Sequence, residues 1–595
     1  MNYSLTKTDQ AKEKDKKVLS TAWRRIVPLL VEEKKFVVMS LIALIVNVSV
    51  SLVVPVVVAR IVDVYIINKN YQGLLVSSGI LFFIFLIGLV ANYVEVKTMG
   101  GVGRRLLFNL RNKIFNKLQE LPVSFFNQNK SGDLISRINN DTEKLNQFFS
   151  HALMQFISSI VLIIGTGVFL VVLNPKLGLV ALIPAFFALV ATQMLSPWVK
   201  RTSLKSLQTL GGMSGEVQES INNFKVIVAF NRLDYFVEKF KESNNKNYSA
   251  SVSAGIASNI FNPLYIFASS SAQFFVLVYG IILISSGHLT IGLLIGFLLY
   301  VSNFYGPLRQ LASVWSSLQL ALAGLDRISE VLALESDIAG ASKDKEKEED
   351  FLSSNPESVL EFKNVSFCYS EGKEVLKKIN FTLEKGKTYA LVGPTGGGKT
   401  TTASLMARLY DPTEGVVYLE GKDIRFYDST ERAKKIGFIL QEPFLFTGTV
   451  RDNILYGNDE YQKHSNQELK DVLERENLTK LLSRFSEGLD TKVTSGGDDI
   501  SLGQKQIIAF IRAALRKPDI LVLDEATANI DTVTEELLEE IINKLPKETT
   551  KVIIAHRLNT IENADNIYFV NAGEIILAGS MQDALDMLLR GKRQS

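Results

Sequence analysis

Six long apolar runs fill the first half of the chain, centred near residues 36–60, 73–94, 152–173, 177–197, 259–286 and 289–308. Each is about long enough to cross ~30 Å of hydrocarbon as a helix. One such run could be a buried helix of a soluble domain, but six together predict a membrane domain built of helices. Composition agrees, since 47% of the 595 residues are hydrophobic and 21% charged, more apolar than a soluble enzyme. The net charge of +3 is small for this length, so no nucleic-acid partner is expected. The single Cys368 excludes an internal disulfide framework and fits a reducing cytosol around the second half.

Loop charges predict orientation. Residues 1–35 are polar and Lys-rich (Lys7, Lys12, Lys14, Lys16, Lys17), with an interfacial helical pattern over 22–31 and no signal-peptide cleavage pattern. Lys97, Arg104, Arg105, Arg111, Lys113 and Lys117 follow the second run and Lys200, Arg201 and Lys205 the fourth; the other connections hold little beyond Lys69 and Lys176. By the positive-inside rule the N-terminus and the basic connections are cytosolic. Six is an even number, so the second half of the chain returns to the cytosol. The inside connections, about 97–150 and 198–257, are too long for plain loops and keep helical apolar spacing through Leu106, Leu107, Leu110 and Ile114. Membrane helices that continue into water would project roughly 35 Å beyond the bilayer. Leu121-Pro122-Val123-Ser124-Phe125-Phe126 marks the first hairpin tip, where the phenylalanines either dock on a cytosolic domain or pack the hairpin. The charge run from Ser342 to Asp350 reads as a solvated linker. The expected domains are therefore a cytosolic N-terminus with an interfacial elbow helix (1–35), a six-helix membrane domain (36–335), a linker (336–357) and a second domain (358–595).

The second domain carries chemistry. Gly393-Pro394-Thr395-Gly396-Gly397-Gly398-Lys399-Thr400 fits G-x-x-x-x-G-K-[ST], in which backbone N–H groups curl around phosphates and the lysine reaches the outer ones. A buried strand before it (387–392) and a helix after it (400–409) complete the cradle, the helix turning its positive end to the anion. The strand Ile520-Leu521-Val522-Leu523 ends in Asp524-Glu525, one carboxylate for Mg²⁺ and one to orient or deprotonate water. The strand Lys551-Val552-Ile553-Ile554-Ala555 ends in His556, a donor within reach of a γ-phosphate. Strand and helix alternate as expected of an α/β P-loop domain.

Ile500-Ser501-Leu502-Gly503-Gln504-Lys505-Gln506 opens a helix running to about Leu515, and with it the chain resembles an ATP-binding cassette (ABC) exporter half-transporter. The likeness covers about residues 20–590. It implies a six-helix exporter membrane domain fused to an α/β nucleotide-binding domain that uses ATP and Mg²⁺. It implies that Tyr369 stacks on adenine, with core packing as the alternative role. Gln441 would link metal and water to the membrane domain, and Asn529-Ile530-Asp531 would cross to the opposite subunit. Phe125 with its neighbours and the stretch 221–231 would be the coupling segments. The nucleotide would rest on 393–400 and Thr401 of one subunit and on Ser501, Gly503 and Gln504 of the other. Thr400, Gln441 and Asp524 would hold the metal; Lys399, Glu525, Gln441 and His556 would serve hydrolysis.

Three departures from the family pattern stand out. Leu502 replaces a glycine of the signature L-S-G-G-Q, where the backbone approaches phosphate. Ser495 stands where exporters usually carry Glu. Gly397 replaces a common Ser, a change expected to cost little because the cradle works through backbone. Hydrolytic residues beside an altered signature suggest the catalytic half of a heterodimer, with a homodimer, a lipid flippase and an ATP-gated channel or regulatory subunit as alternatives. The expected setting is the cell's inner (plasma) membrane, with the lipid bilayer, a second half-transporter and a hydrophobic or amphipathic substrate of multidrug or lipid type as partners. Phe297, Tyr300 and Phe304 share one face of the sixth run and could line an aromatic cavity, or pack against neighbouring helices or lipid.

Overall fold

The computed structural model describes Leu5, Pro28 and residues 30–334, 358–369, 372, 374–497, 499–524, 532–554 and 563–590. They fall into two compact units, one of residues 7–115 with 132–332 and the other of 1–6, 116–131 and 333–595.

The first unit is a membrane domain. Among the described residues six helices are long and apolar enough to span: Lys34–Ile66, Tyr71–Gln119, Ser131–Leu173, Pro175–Asn222, Leu233–Ser285 and Ile291–Leu332. At 1.5 Å per residue the 49-residue second helix is about 74 Å long, more than twice the hydrocarbon thickness, so these are membrane helices extended into water. The apolar windows of the first five are mostly exposed and that of the sixth is 56% buried, because the sixth runs through the middle and packs on the first, third and fifth. Small residues permit this approach. A methyl group on Gly292 would sit 2.1 Å from the Ala59 carbonyl oxygen, and one on Gly296 would sit 3.1 Å from that of Pro55. Asp63, leaving the first helix, accepts from the Thr290 hydroxyl (2.6 Å) and the Gly292 amide (2.7 Å), and so satisfies donors at the start of the sixth.

The second unit is α/β. Strands β1 (Ser358–Cys368), β2 (Glu374–Glu384), β4 (Glu414–Leu419) and β5 (Lys422–Asp423) form an antiparallel sheet in the order β2-β1-β4-β5. The main sheet contains β3 (Thr388–Val392), β6 (Ile436–Ile439), β9 (Ile520–Asp524), β10 (Thr550–Ile554), β11 (Asn566–Asn571) and β12 (Glu574–Ala578), in the order β12-β11-β3-β10-β9-β6. All are parallel except β12, and β9 is buried at every position, which is why its sequence is a continuous apolar run. The two-residue strands β7 (Gly448–Thr449) and β8 (Lys492–Val493) pair beside a helical subdomain whose apolar core continues onto the main sheet through Ile439, Leu521 and Leu523. The register aligns Ile554 with both Leu391 and Asp524, so the chemistry-bearing strands deliver their carboxyl ends to one edge.

Candidate functional site

The loop after β3 needs its glycines. Gly393, Gly396 and Gly398 have φ of +148°, +80° and +115°, and a methyl group on Gly393 would lie 2.0 Å from the Val570 carbonyl oxygen. Gly397 is equally constrained, since its Cβ would lie 2.6 Å from the same oxygen and 3.0 Å from that of Pro394. Glycine is therefore well accommodated at this position, whereas a larger residue would have to displace backbone. The cradle works through backbone, but the backbone here presses against β11.

Lys399 begins the helix Lys399–Met406 and is buried; its ammonium donates to the carbonyls of Gly393 (2.8 Å) and Pro394 (3.1 Å) across the mouth of the loop. Thr401 is buried behind it, while Pro394, Thr395, Gly396 and Thr400 are exposed at the rim. The Thr400 hydroxyl reaches Asp524 Oδ1 at 3.4 Å from the end of β9. A lysine and a helix N-terminus beside an all-oxygen pair fit a nucleotide triphosphate with Mg²⁺, a hard cation that prefers oxygen donors. Gln441 lies two residues past β6, which pairs with β9 through Ile439 and Leu523, so it leaves the sheet beside Asp524. Its side chain is exposed, and its carbonyl accepts from Gln506 Nε2 at 2.7 Å. Sequence reasoning passed over Gln506. Its signal was an amide followed by Ile507 and Ile508, buried within an apolar helix.

Ser501, Gly503 and Gln504 form the start of the helix Leu502–Ala514. Ser501 Oγ accepts from the Gln504 amide, and Gln504 Oε1 accepts from the Ser501 amide, a reciprocal cap. Leu502 is the first helical residue and has no positive φ, so its backbone does not require glycine. Tyr369, just past β1, is 42% exposed; its ring packs edge-on to Phe367 and Tyr410, and its hydroxyl lies 2.9 Å from Thr401 Oγ1. The structure thus brings together Lys399, Thr400, Thr401, Asp524 and Tyr369. Glu525, His556 and Asn529-Ile530-Asp531 lie outside the described residues, as does the Ser495 side chain.

A family model for the ABC transporter transmembrane region matches residues 37–308, and a second, described as ABC transporter, matches 376–528. An uncharacterized ABC transporter ATP-binding protein of Bacillus subtilis, YfiC, is 32% identical over 97% of this chain and 93% of its own length. The chain belongs to the ABC transporter family. It is an ABC half-transporter of the exporter type, in which ATP hydrolysis is coupled to transport. Two further relatives are each 30% identical. A fatty acid ABC transporter ATP-binding/permease protein of Mycobacterium bovis matches over 83% of this chain and 76% of its own. A multidrug resistance ABC transporter ATP-binding and permease protein of Lactococcus lactis matches over 81% and 80%.

The aromatic stripe of the sixth helix is interior in this ABC transporter. Phe297 and Tyr300 are fully buried and Phe304 nearly so, within the apolar core of the membrane domain. Tyr300 stacks on Phe169 at 5.5 Å and its hydroxyl donates to the Leu52 carbonyl.

Proposed function

We propose that this chain is the catalytic half of a heterodimeric exporter of hydrophobic or amphipathic molecules, multidrug or lipid in type. It would sit in the plasma membrane with its N-terminus and nucleotide-binding domain in the cytosol. The observation that carries the reading is the cluster of Lys399, Thr400 and Asp524 in one chain with six spanning helices. The relatives' names, fatty acid and multidrug resistance transporters, support a lipophilic cargo. The basic residues in the water-side extensions of the second and fourth helices support the orientation.

Two such chains would meet head to tail, with ATP between the cradle of one and the signature helix of the other. Lys399 would neutralise the outer phosphates, and Thr400, Asp524 and Gln441 would hold Mg²⁺, whose positive charge would offset that of the phosphates. Glu525 orients or deprotonates the attacking water and His556 donates to the γ-phosphate. Loss of that phosphate releases the closed dimer and resets the membrane helices.

The test is the chain reconstituted in vesicles with and without a co-purifying partner, reading ATP turnover and uptake of a fluorescent lipophilic cation and a fluorescent fatty acid. Glu525→Gln should abolish most turnover with ATP binding intact, because the amide keeps the shape but takes no proton. Brisk turnover and transport by the chain alone would reject the heterodimer. Near-normal turnover in the Gln variant would reject the role of Glu525.

A further inference from the structure

An aromatic cluster beside the phosphate loop of the nucleotide-binding domain has two polar outlets. Phe367 is buried at the end of β1, and the rings of Tyr369 and Tyr410 pack on it at 4.8 and 5.5 Å between centroids. Tyr369 and Tyr410 also meet each other, perpendicular, at 5.3 Å. One outlet is the Tyr369 hydroxyl, 2.9 Å from Thr401 Oγ1 on the helix that follows the phosphate loop. The other is the Tyr410 hydroxyl, which accepts a hydrogen bond from the Asn127 side-chain amide. Asn127 belongs to the short helix Val123–Gln128 at the first hairpin tip, and residues 116–131 are part of the same compact unit as the nucleotide-binding domain. Burial raises the Tyr410 phenol above its ordinary value, while the bond from Asn127 lowers it; a neutral hydroxyl is the form present in the cell.

We propose that Tyr410 is a positioning residue that couples the base-binding Tyr369 to Asn127 of the hairpin tip, so that the tip responds to the adenine and not to the phosphates alone. This rests on the reading that Tyr369 stacks on adenine. The physical argument is that Tyr369 has a partly exposed ring free for a base, while its edge is locked against Tyr410 and its hydroxyl against Thr401. Perpendicular ring pairs of this kind have a preferred geometry, so fixing one ring narrows the positions open to the next. Tyr410 in turn is tied to the tip by a single side-chain bond. Coupling is reciprocal: a base that steadies the tip must bind more tightly when the tip is already steady.

The test is amide hydrogen exchange at residues 123–129 in the full-length chain in nanodiscs, with saturating Mg²⁺ and either non-hydrolysable adenylyl imidodiphosphate or inorganic tripolyphosphate. The adenine nucleotide should slow exchange at the tip by about ten-fold, and tripolyphosphate by less than about two-fold. Tyr410→Phe keeps the ring and Asn127 is exposed, so both Tyr410→Phe and Asn127→Ala should fold. Each should reduce the adenine response to the tripolyphosphate level, and the double variant should go no further, as for two residues acting through one bond. A full adenine response in either single variant, or effects that add in the double variant, would overturn the relay. Tyr369→Ala separates the two levels: unchanged nucleotide affinity rejects the stacking reading itself. Weakened affinity with an intact tip response in Tyr410→Phe rejects only the relay.

Discussion

Arg137, early in the third spanning helix, is joined to Glu330, late in the sixth, by a 2.8 Å ion pair whose guanidinium is almost wholly out of water. The same guanidinium reaches Asp133 at 3.0 Å and the Arg327 carbonyl at 2.6 Å. Arg327 pairs with Asp133 and with the fully buried Asp141, and Lys144 pairs with Asp141 as well. Gly324 makes room for this, since its Cβ would lie 3.1 Å from the Asp141 carbonyl oxygen. Two helix ends far apart in sequence are thereby clamped just before the chain leaves for the linker.

Removing one member of a buried ion pair leaves a desolvated charge, at a cost of about 3–5 kcal/mol. Asp133 and Glu330 keep some contact with water, so Arg137→Met is expected at the lower end, about 3 kcal/mol. The measurement is the thermal loss of monodisperse protein in detergent. Glu330→Gln, which retains an acceptor for the guanidinium, should lower the midpoint less than Arg137→Met does. An unchanged midpoint for Arg137→Met would show that the clamp contributes nothing.

Gly397→Ser tests the cradle. The added Cβ meets two carbonyl oxygens, one of them on the backbone of β11, which cannot swing aside like a side chain. A loss of at least about ten-fold in ATP affinity is expected, equivalent to about 1.4 kcal/mol. Gly396→Ala has open space around its Cβ and should suffer only the strain of a left-handed backbone, about 1–2 kcal/mol. Equilibrium binding of a fluorescent ATP analogue measures both. Wild-type affinity in the serine variant would mean that the loop and β11 can separate freely.

How much of this was legible in sequence depends on the reach of each interaction. The spanning helices were readable because length and apolarity are local properties; the run at 36–60 became a helix over Lys34–Ile66 and the run at 289–308 part of a helix over Ile291–Leu332. The phosphate loop and Asp524 were readable because their chemistry fixes residue type and spacing together. The clamp of Arg137 and Glu330 was not, since nothing within a turn of either residue announces a partner 193 positions away. Nor was Tyr410, which sits in no motif and gains its place from Phe367 and Asn127. Helical spacing placed Phe297, Tyr300 and Phe304 on one face, but periodicity cannot tell a cavity wall from a packing seam. In the fold that face meets the first and third helices.

The hairpin tip separates two phenylalanines that looked equivalent. Phe125 is fully buried and Phe126 is 44% exposed, with the rings edge to face at 5.2 Å. Phe125→Glu should therefore prevent stable folding, because it buries an unpaired carboxylate. Phe126→Glu should fold, and if the tip docks for coupling it should lower transport per ATP hydrolysed by several-fold. Comparing ATP turnover with dye uptake in vesicles checks this. Equal loss of folded protein in both variants would support a purely packing role for the pair.

The final prediction concerns Leu502. Its position opens a well-capped helix in ordinary right-handed geometry, so glycine is not needed there for the fold. What a leucine changes is the surface presented beyond the helix start, where a half-buried branched side chain replaces bare backbone. Leu502→Gly should cost the helix up to about 1 kcal/mol, because glycine is a poor helix former. If the altered signature limits the site it caps, the same change should raise ATP turnover of the chain expressed alone by about ten-fold or more, since every site in a homodimer would then pair intact cradle residues with a repaired signature. Alongside a heterodimer partner the gain should be smaller, because only the site capped by this chain is repaired and the other already functions. Steady-state ATPase assays on both preparations, with Lys399→Ala as the inactive reference, supply the numbers. Turnover in Leu502→Gly at or below that of the unmodified chain, with the protein folded, would mean that leucine is compatible with phosphate approach, and the argument for an asymmetric pair would lose its support.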